Sequence, residues 1–211
     1  MEKLKNETKV FELFIDKKHM REEFRTPIAQ GNFVFATDSY SLIKVSRHCV
    51  SGNYPRLDEP DITNNFIPTD TEIAVKICEL EDLLSSVEMV EEVETTGNFV
   101  NCNECDGDGT VEWEYKAWTN DFDCPVCNGS GYSQKPRERK TGRMIPDYYC
   151  KVRLGNKYIQ AKKIKILIDM MELLGIYTVM MRYNKNLPNQ QYFFYFDINT
   201  EVLMMPIAQE L

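Results

Sequence analysis

Apolar residues change their spacing several times along the chain, and each change predicts an element. Lys9–Ile15 is dense in strand formers and predicts a strand. Asp16 is placed to cap a helix running to about Arg25. Met20 and Phe24 share one face of that helix, while Lys18, Arg21 and Arg25 form a basic stripe on another, beside Lys17. After a turn at Pro27–Gly31, residues 33–38 and 42–46 predict two strands joined around Asp38-Ser-Tyr. Residues 53–70, with Pro55, Pro60 and Pro68, predict an irregular connection. Glu72–Ile77 predicts a strand. Leu80, Leu83, Leu84, Val87 and Val90 then recur at helical spacing, which predicts a short acidic amphipathic helix from about Glu81.

Beyond the break at Thr95-Thr-Gly97-Asn, Val111–Trp118 alternates and carries both tryptophans of the chain. Trp113, Tyr115 and Trp118 suit a hairpin arm, a cover for a module too small for its own core, or a surface for a partner. Lys135–Arg143 reads as a basic linker, and 148–159 as a hairpin turning at Gly155-Asn156. Ala161–Leu174 predicts a helix with Ile164, Leu167, Ile168, Met171 and Leu174 on one face, stopped by Gly175. Lys162, Lys163 and Lys165 crowd its first turns. Three strand-like runs follow at 177–183, 191–197 and 202–207.

Two stretches carry candidate chemistry. Cys102-x-x-Cys105-x-Gly107-x-Gly109 and Cys124-x-x-Cys127-x-Gly129-x-Gly131 repeat one eight-residue pattern, and the 18 residues Asp106–Asp123 separate the two cysteine pairs. That spacing marks a four-cysteine zinc site. Four protein ligands fill a tetrahedral ion and leave no position for water, so Cys102, Cys105, Cys124 and Cys127 are expected to hold one structural Zn2+. The glycines allow the backbone after each cysteine pair to turn its N–H groups toward sulfur. The pattern resembles the cysteine-rich domain of DnaJ-type co-chaperones, which carries four such repeats and two zinc ions. Two repeats imply one ion here.

The second stretch is an internal repeat. Both ends read as strand, basic-headed helix and paired strands around an aspartate turn, with Phe33-Val-Phe35 echoed by Phe193-Phe-Tyr195. Phe35-Ala-Thr-Asp38-Ser-Tyr-Ser-Leu42 and Glu201-Val-Leu-Met-Met-Pro206-Ile resemble the Ala-Thr-Asp-x-x-x-Leu and Val-Leu-Met-Pro segments of bacterial DNA polymerase sliding clamps. The resemblance implies an α+β fold of duplicated β-α-β-β-β units over 1–96 and 135–211, with a zinc module inserted at 97–134. It also implies helices facing double-stranded DNA, on which Lys17, Lys18, Arg21, Arg25, Lys162, Lys163 and Lys165 would meet phosphates without reading bases. Clamp rings close six such domains, so a ring would need self-association or replication partners.

Composition adjusts this picture. A net charge of −8 argues against a general nucleic-acid binder, yet it hides an acidic run at Glu79–Glu94 and the basic run at Lys135–Arg143. Seven cysteines, four in a metal pattern, fit a reducing cytoplasm and leave Cys49, Cys78 and Cys150 as buried thiols. No apolar run is long enough to span a membrane. The only histidines are His19 and His48, and no Ser-nucleophile, P-loop or dinucleotide glycine motif is present. Asp38 and Asp197 suit turns. The expectation is a non-enzymatic, clamp-like, DNA-associated protein. The alternative is a protein-interaction adaptor whose zinc module holds the partner.

Overall fold

The computed structural model describes residues 3–59, 61–66, 69–185 and 190–207, so Pro60 and Pro68 lie outside the described residues. The chain opens with helix α1 (Glu7–Glu12), strands β1 (Ile28–Gln30), β2 (Phe33–Thr37), β3 (Ser41–Ser46) and β4 (Thr71–Lys76), and helix α2 (Ile77–Ser85). It continues through β5 (Met89–Thr96), β6 (Val100–Asn101), β7 (Thr110–Tyr115), β8 (Trp118–Asp123), β9 (Tyr132–Gln134) and β10 (Arg137–Pro146). It closes with β11 (Lys151–Leu154), β12 (Lys157–Gln160), α3 (Ala161–Leu174), β13 (Thr178–Tyr183), β14 (Tyr192–Asp197) and β15 (Thr200–Met204). Two compact units result, one from 1–88 with 146–211 and one from 89–145.

The larger unit is built on a seven-stranded sheet in the order β1-β2-β3-β15-β14-β13-β4, antiparallel wherever its strand pairs are registered. Six of these strands form two equivalent sets. In each set a helix precedes a three-strand meander, α1-β1-β2-β3 and α3-β13-β14-β15, and the last strands of the sets pair with Ile43 opposite Val202. The repeated unit is thus a helix followed by three strands; the leading strand of the expected β-α-β-β-β unit is absent before α1 among the described residues.

Alternation along the strands serves two cores. Val34, Ala36, Ile43, Val45, Val202, Met204 and Phe194 turn to one face, where the helices pack. Phe35, Leu42, Phe193 and Leu203 turn to the other, covered by Phe24, Leu57, Ile62 and Phe66 from the connections. α3 is central to the first core. Of the expected stripe, Ile164, Leu167, Ile168 and Met171 are buried and Leu174 is half-buried, while Ile166 and Met170 are buried too, because neighbours cover the helix on further sides. Gly175 ends it at φ 70°, with Gly175 N–H donating to Glu172 O and Ile176 N–H to Met171 O.

The N-terminal expectations need correction. Residues 9–15 contain most of α1 rather than a strand. Val10, Phe11 and Phe14 are all at most 1 % exposed, which a helix achieves by placing them on one face, whereas a strand would send Val10 and Phe11 apart. The expected helix from Asp16 to Arg25 reduces to a 3-10 turn at Glu22–Arg25. Asp16 accepts from Lys18 N–H in a tight turn and His19 N–H follows onto Asp16 O, so the carboxylate closes a turn instead of capping a helix. α2 begins at Ile77, earlier than expected, and Val90 lies in β5. The basic segment at 135–143 is largely strand: β10 pairs with the acidic β5, and Lys140 meets Glu91 at 2.8 Å while Arg143 Nε donates to Glu92 at 2.9 Å. Cys49 is buried as expected, but Cys78 is exposed and Cys150 half-buried.

Candidate metal centre and partner cleft

The four cysteines of the smaller unit converge. Their sulfurs all lie within 4.8 Å of one another, and all four residues are buried. Cys102 Sγ stands 3.9 Å from Cys124 Sγ, and Cys105 Sγ 3.7 Å from Cys127 Sγ. Four thiolates about 2.3 Å from a tetrahedral ion would stand about 3.8 Å apart, so the donor set fits such a metal.

The two cysteine turns are interlocked about a local two-fold. Cys102 N–H donates to Gly131 O and Cys124 N–H to Gly109 O, both at 2.8 Å. Gly109 N–H points at Cys105 Sγ and Gly131 N–H at Cys127 Sγ, each at 3.3 Å, which is the N–H to sulfur contact the glycine spacing predicts. A side chain is excluded at both ends. A Cβ on Gly109 would meet Gly129 O at 2.5 Å, and one on Gly131 would meet Gly107 O at 2.3 Å, with φ already at 81° and 74°. Burial pushes the Cys127 thiol up, but the Gly131 N–H and the neighbouring cysteines outweigh it and bring the group down to about 7. Backbone donors from Cys127 and Val126 favour the Cys124 thiolate, yet desolvation and its partner thiols take that group up to about 11. Metal would replace this uneven sharing of protons.

The hairpin β7–β8 rises from the cluster, with Val111 packed against the cysteines. Trp113 and Trp118 are exposed on it, and Tyr115 occupies the register position opposite Trp118.

In the larger unit, the two segments with the clamp resemblance stand side by side. β3 pairs with β15, bringing Leu42 opposite Leu203, and Met205 N–H donates to Tyr40 O at 2.9 Å. With Phe24 and Ile62 they line a cleft of 430 Å³ rimmed by Arg21, Ser39 and Asn65. The Asp38 turn frames it. Asp38 Oδ1 accepts from Tyr40 and Ser41 N–H at 3.0 and 2.6 Å, and Oδ2 accepts from Lys163 Nζ at 2.8 Å.

The basic residues expected on two helices are not gathered. Lys163 is 3 % exposed and held by Asp38 and Ser41, so it turns inward, away from any phosphate. Lys165 is paired with Asp169 one turn on, and Lys162 is exposed. Lys17, Lys18 and Arg21 are exposed on turns rather than along a helix face, and Arg25 binds Glu22 and His19 O. The three helices together carry seven carboxylates and four lysines, so their layer is not basic. Sequence reasoning missed the Asp38–Lys163 link, whose only trace was a lysine breaking the apolar stripe of a helix otherwise buried.

No family model matches the chain, and no curated protein matches it. Among solved structures it is similar to the Helicobacter pylori beta clamp in complex with diflunisal, at 13% identity and TM-score 0.47 over 95% of this chain and 63% of that one. The same clamp bound to a DNA ligase peptide aligns at 12% identity and TM-score 0.44, over 95% and 63%. The DNA polymerase III subunit beta of Pseudomonas aeruginosa aligns at 11% identity and TM-score 0.44, over 96% and 65%. The chain spans less than two thirds of the length of these proteins.

Proposed function

We propose that the chain is a non-enzymatic, clamp-like protein that works at DNA mainly by holding another protein. In this reading an apolar segment of the partner sits in the Tyr40–Leu203 cleft, and one structural zinc ion organises Cys102, Cys105, Cys124 and Cys127. One observation carries it. The two segments that resemble sliding clamps, far apart in sequence, meet where the start of β3 pairs with β15 and together line a single cleft with an apolar floor and a polar rim. The zinc part is supported by sulfur spacings that suit a tetrahedral ion. No helix among the described residues is long and apolar enough to cross a membrane.

The test uses the peptide acetyl-Leu-Leu-Phe-amide as probe, followed by methyl NMR. Shifts confined to the methyls of Met205, Leu42 and Leu203, and lost in Tyr40→Ala, are expected. No shift at millimolar peptide overturns the cleft reading. A second reading, direct phosphate contact, is favoured by the exposure of Lys17, Lys18, Arg21 and Lys162. Binding to a random-sequence duplex that falls steeply with salt, and is lost when these four become glutamate, would favour it over the first.

A further inference from the structure

The hairpin β7–β8 has two unlike faces. Antiparallel register puts Val111 opposite Phe122 and Trp113 opposite Asn120, and Trp118 is two residues from Asn120, so Trp113, Trp118 and Phe122 share one side. Trp113, Trp118 and Phe122 are 64, 77 and 54 % exposed there, although large aromatic rings ordinarily find cover. The other side takes Glu112, Glu114, Asp121 and Asp123. Between Gly97 and Gln134 the chain has seven carboxylates and a single basic residue, Lys116. The nearby arginines and lysines of β10 do not offset this, because that strand is paired with acidic β5 and its Lys140 and Arg143 are taken by Glu91 and Glu92.

We infer that the aromatic face of this hairpin is a docking surface for a cationic, partly apolar segment of another protein. The occupant follows from charge complementarity. Phosphates would be repelled by seven carboxylates, and an acidic peptide likewise. An extended segment bearing arginines and leucines would gain from both features: guanidinium groups lie over indole rings while attracted by the carboxylates across the thin ribbon, and apolar side chains cover Phe122. A ribbon two strands wide has no second layer of its own, so such a segment would supply the missing cover. This deepens the adaptor part of the functional reading and rests on the zinc site, which anchors the hairpin base through Val111.

The only tryptophans of the protein are on this hairpin, so intrinsic fluorescence reports the surface directly. Full-length protein is titrated with the peptide acetyl-Arg-Leu-Arg-Leu-Arg-Leu-amide and, separately, with its Glu-Leu counterpart, and zinc content is measured on the same sample. The expected result is a saturable blue shift with the Arg-Leu peptide alone, weakened by salt. The triple variant Glu112→Gln, Glu114→Gln, Asp121→Asn should bind about tenfold more weakly with its zinc content unchanged, since these carboxylates bind no metal. Phe122→Ala should weaken binding while leaving the salt dependence intact. One mole of zinc with no spectral response, an equal response to both peptides, or undiminished binding by the triple variant overturns the proposal. So does an emission shift with protein concentration alone at doubled mass, which would assign the face to a second copy. Absence of zinc instead overturns the metal reading beneath it.

Discussion

Asp38 divides its carboxylate between a turn and a helix. One oxygen accepts two loop amides and the other the buried ammonium of Lys163, so strand-turn geometry near the cleft is tied to the first turn of α3. Burial holds the Lys163 ammonium below the usual lysine range, with Asp38 opposing that shift. Removing one partner of a buried pair leaves a charge without compensation. Lys163→Ala should therefore cost about 3 kcal/mol in denaturant unfolding, and Lys163→Ala with Asp38→Asn appreciably less than the two single losses together. Glu7 does similar work at the start of α1, taking Ser51 and Gly52 N–H at 2.6 and 2.9 Å and the Tyr54 hydroxyl. Burial alone would raise its carboxyl, but these donors outweigh it and hold the group below the ordinary 4.5. A carboxylate depressed by folding contributes fully above its unfolded value and loses that contribution as pH falls through the folded one. Glu7→Gln should thus lower stability by about 1 kcal/mol at neutral pH, and the gap to the parent protein should close below pH ~4.

Elements differ in how well they were legible. α3, its Gly175 stop, the β11–β12 hairpin and β13 to β15 are all legible, α3 and β11 to β13 because apolar residues recur at helical or alternating spacing, and β14 and β15 because they are continuous apolar runs buried on both faces. α1 was misread because Val10, Phe11 and Phe14 are strand formers by type and helical only by spacing. The basic segment at 135–143 was misread because its partner, the acidic β5, lies some fifty residues away, and pairing at that distance leaves no local mark. The cysteine pattern was the most legible part of the site. It even forecast the amide contacts to sulfur, though not that each turn closes onto the other's glycine. From that interlock, Gly109→Ala should lower zinc affinity by at least tenfold, as followed by competition with a chromophoric chelator. Gly142→Ala, where a methyl would meet nothing within 4 Å, is strained only by its φ of 79° and should leave zinc affinity unchanged.

At the scale of the molecule, the apolar cores of the sheet and the cysteine cluster belong to different units. The sheet of the larger unit closes its own two cores without any cysteine of the cluster. Cys102→Ser with Cys124→Ser should accordingly abolish stoichiometric zinc while the larger unit keeps its cooperative unfolding transition, read by circular dichroism and by metal analysis on one preparation. Loss of the entire transition would show that the two units are not independent. The mixed charge of the helix layer argues that any attraction to duplex DNA is weak. Measured mass in the same buffers then decides whether a six-copy assembly is available to compensate through repeated contact.

The chain leaves the larger unit after Glu88 and is back at Pro146, and the N–H of the next residue, Asp147, donates to Glu88 O at 2.8 Å. Those two residues are in direct contact, so the intervening chain is a closed loop whose ends already touch. Closing a longer loop costs little more than closing a short one. In hereditary language the position is a splice point, where a lineage could gain, lose or exchange the whole intervening segment in one step.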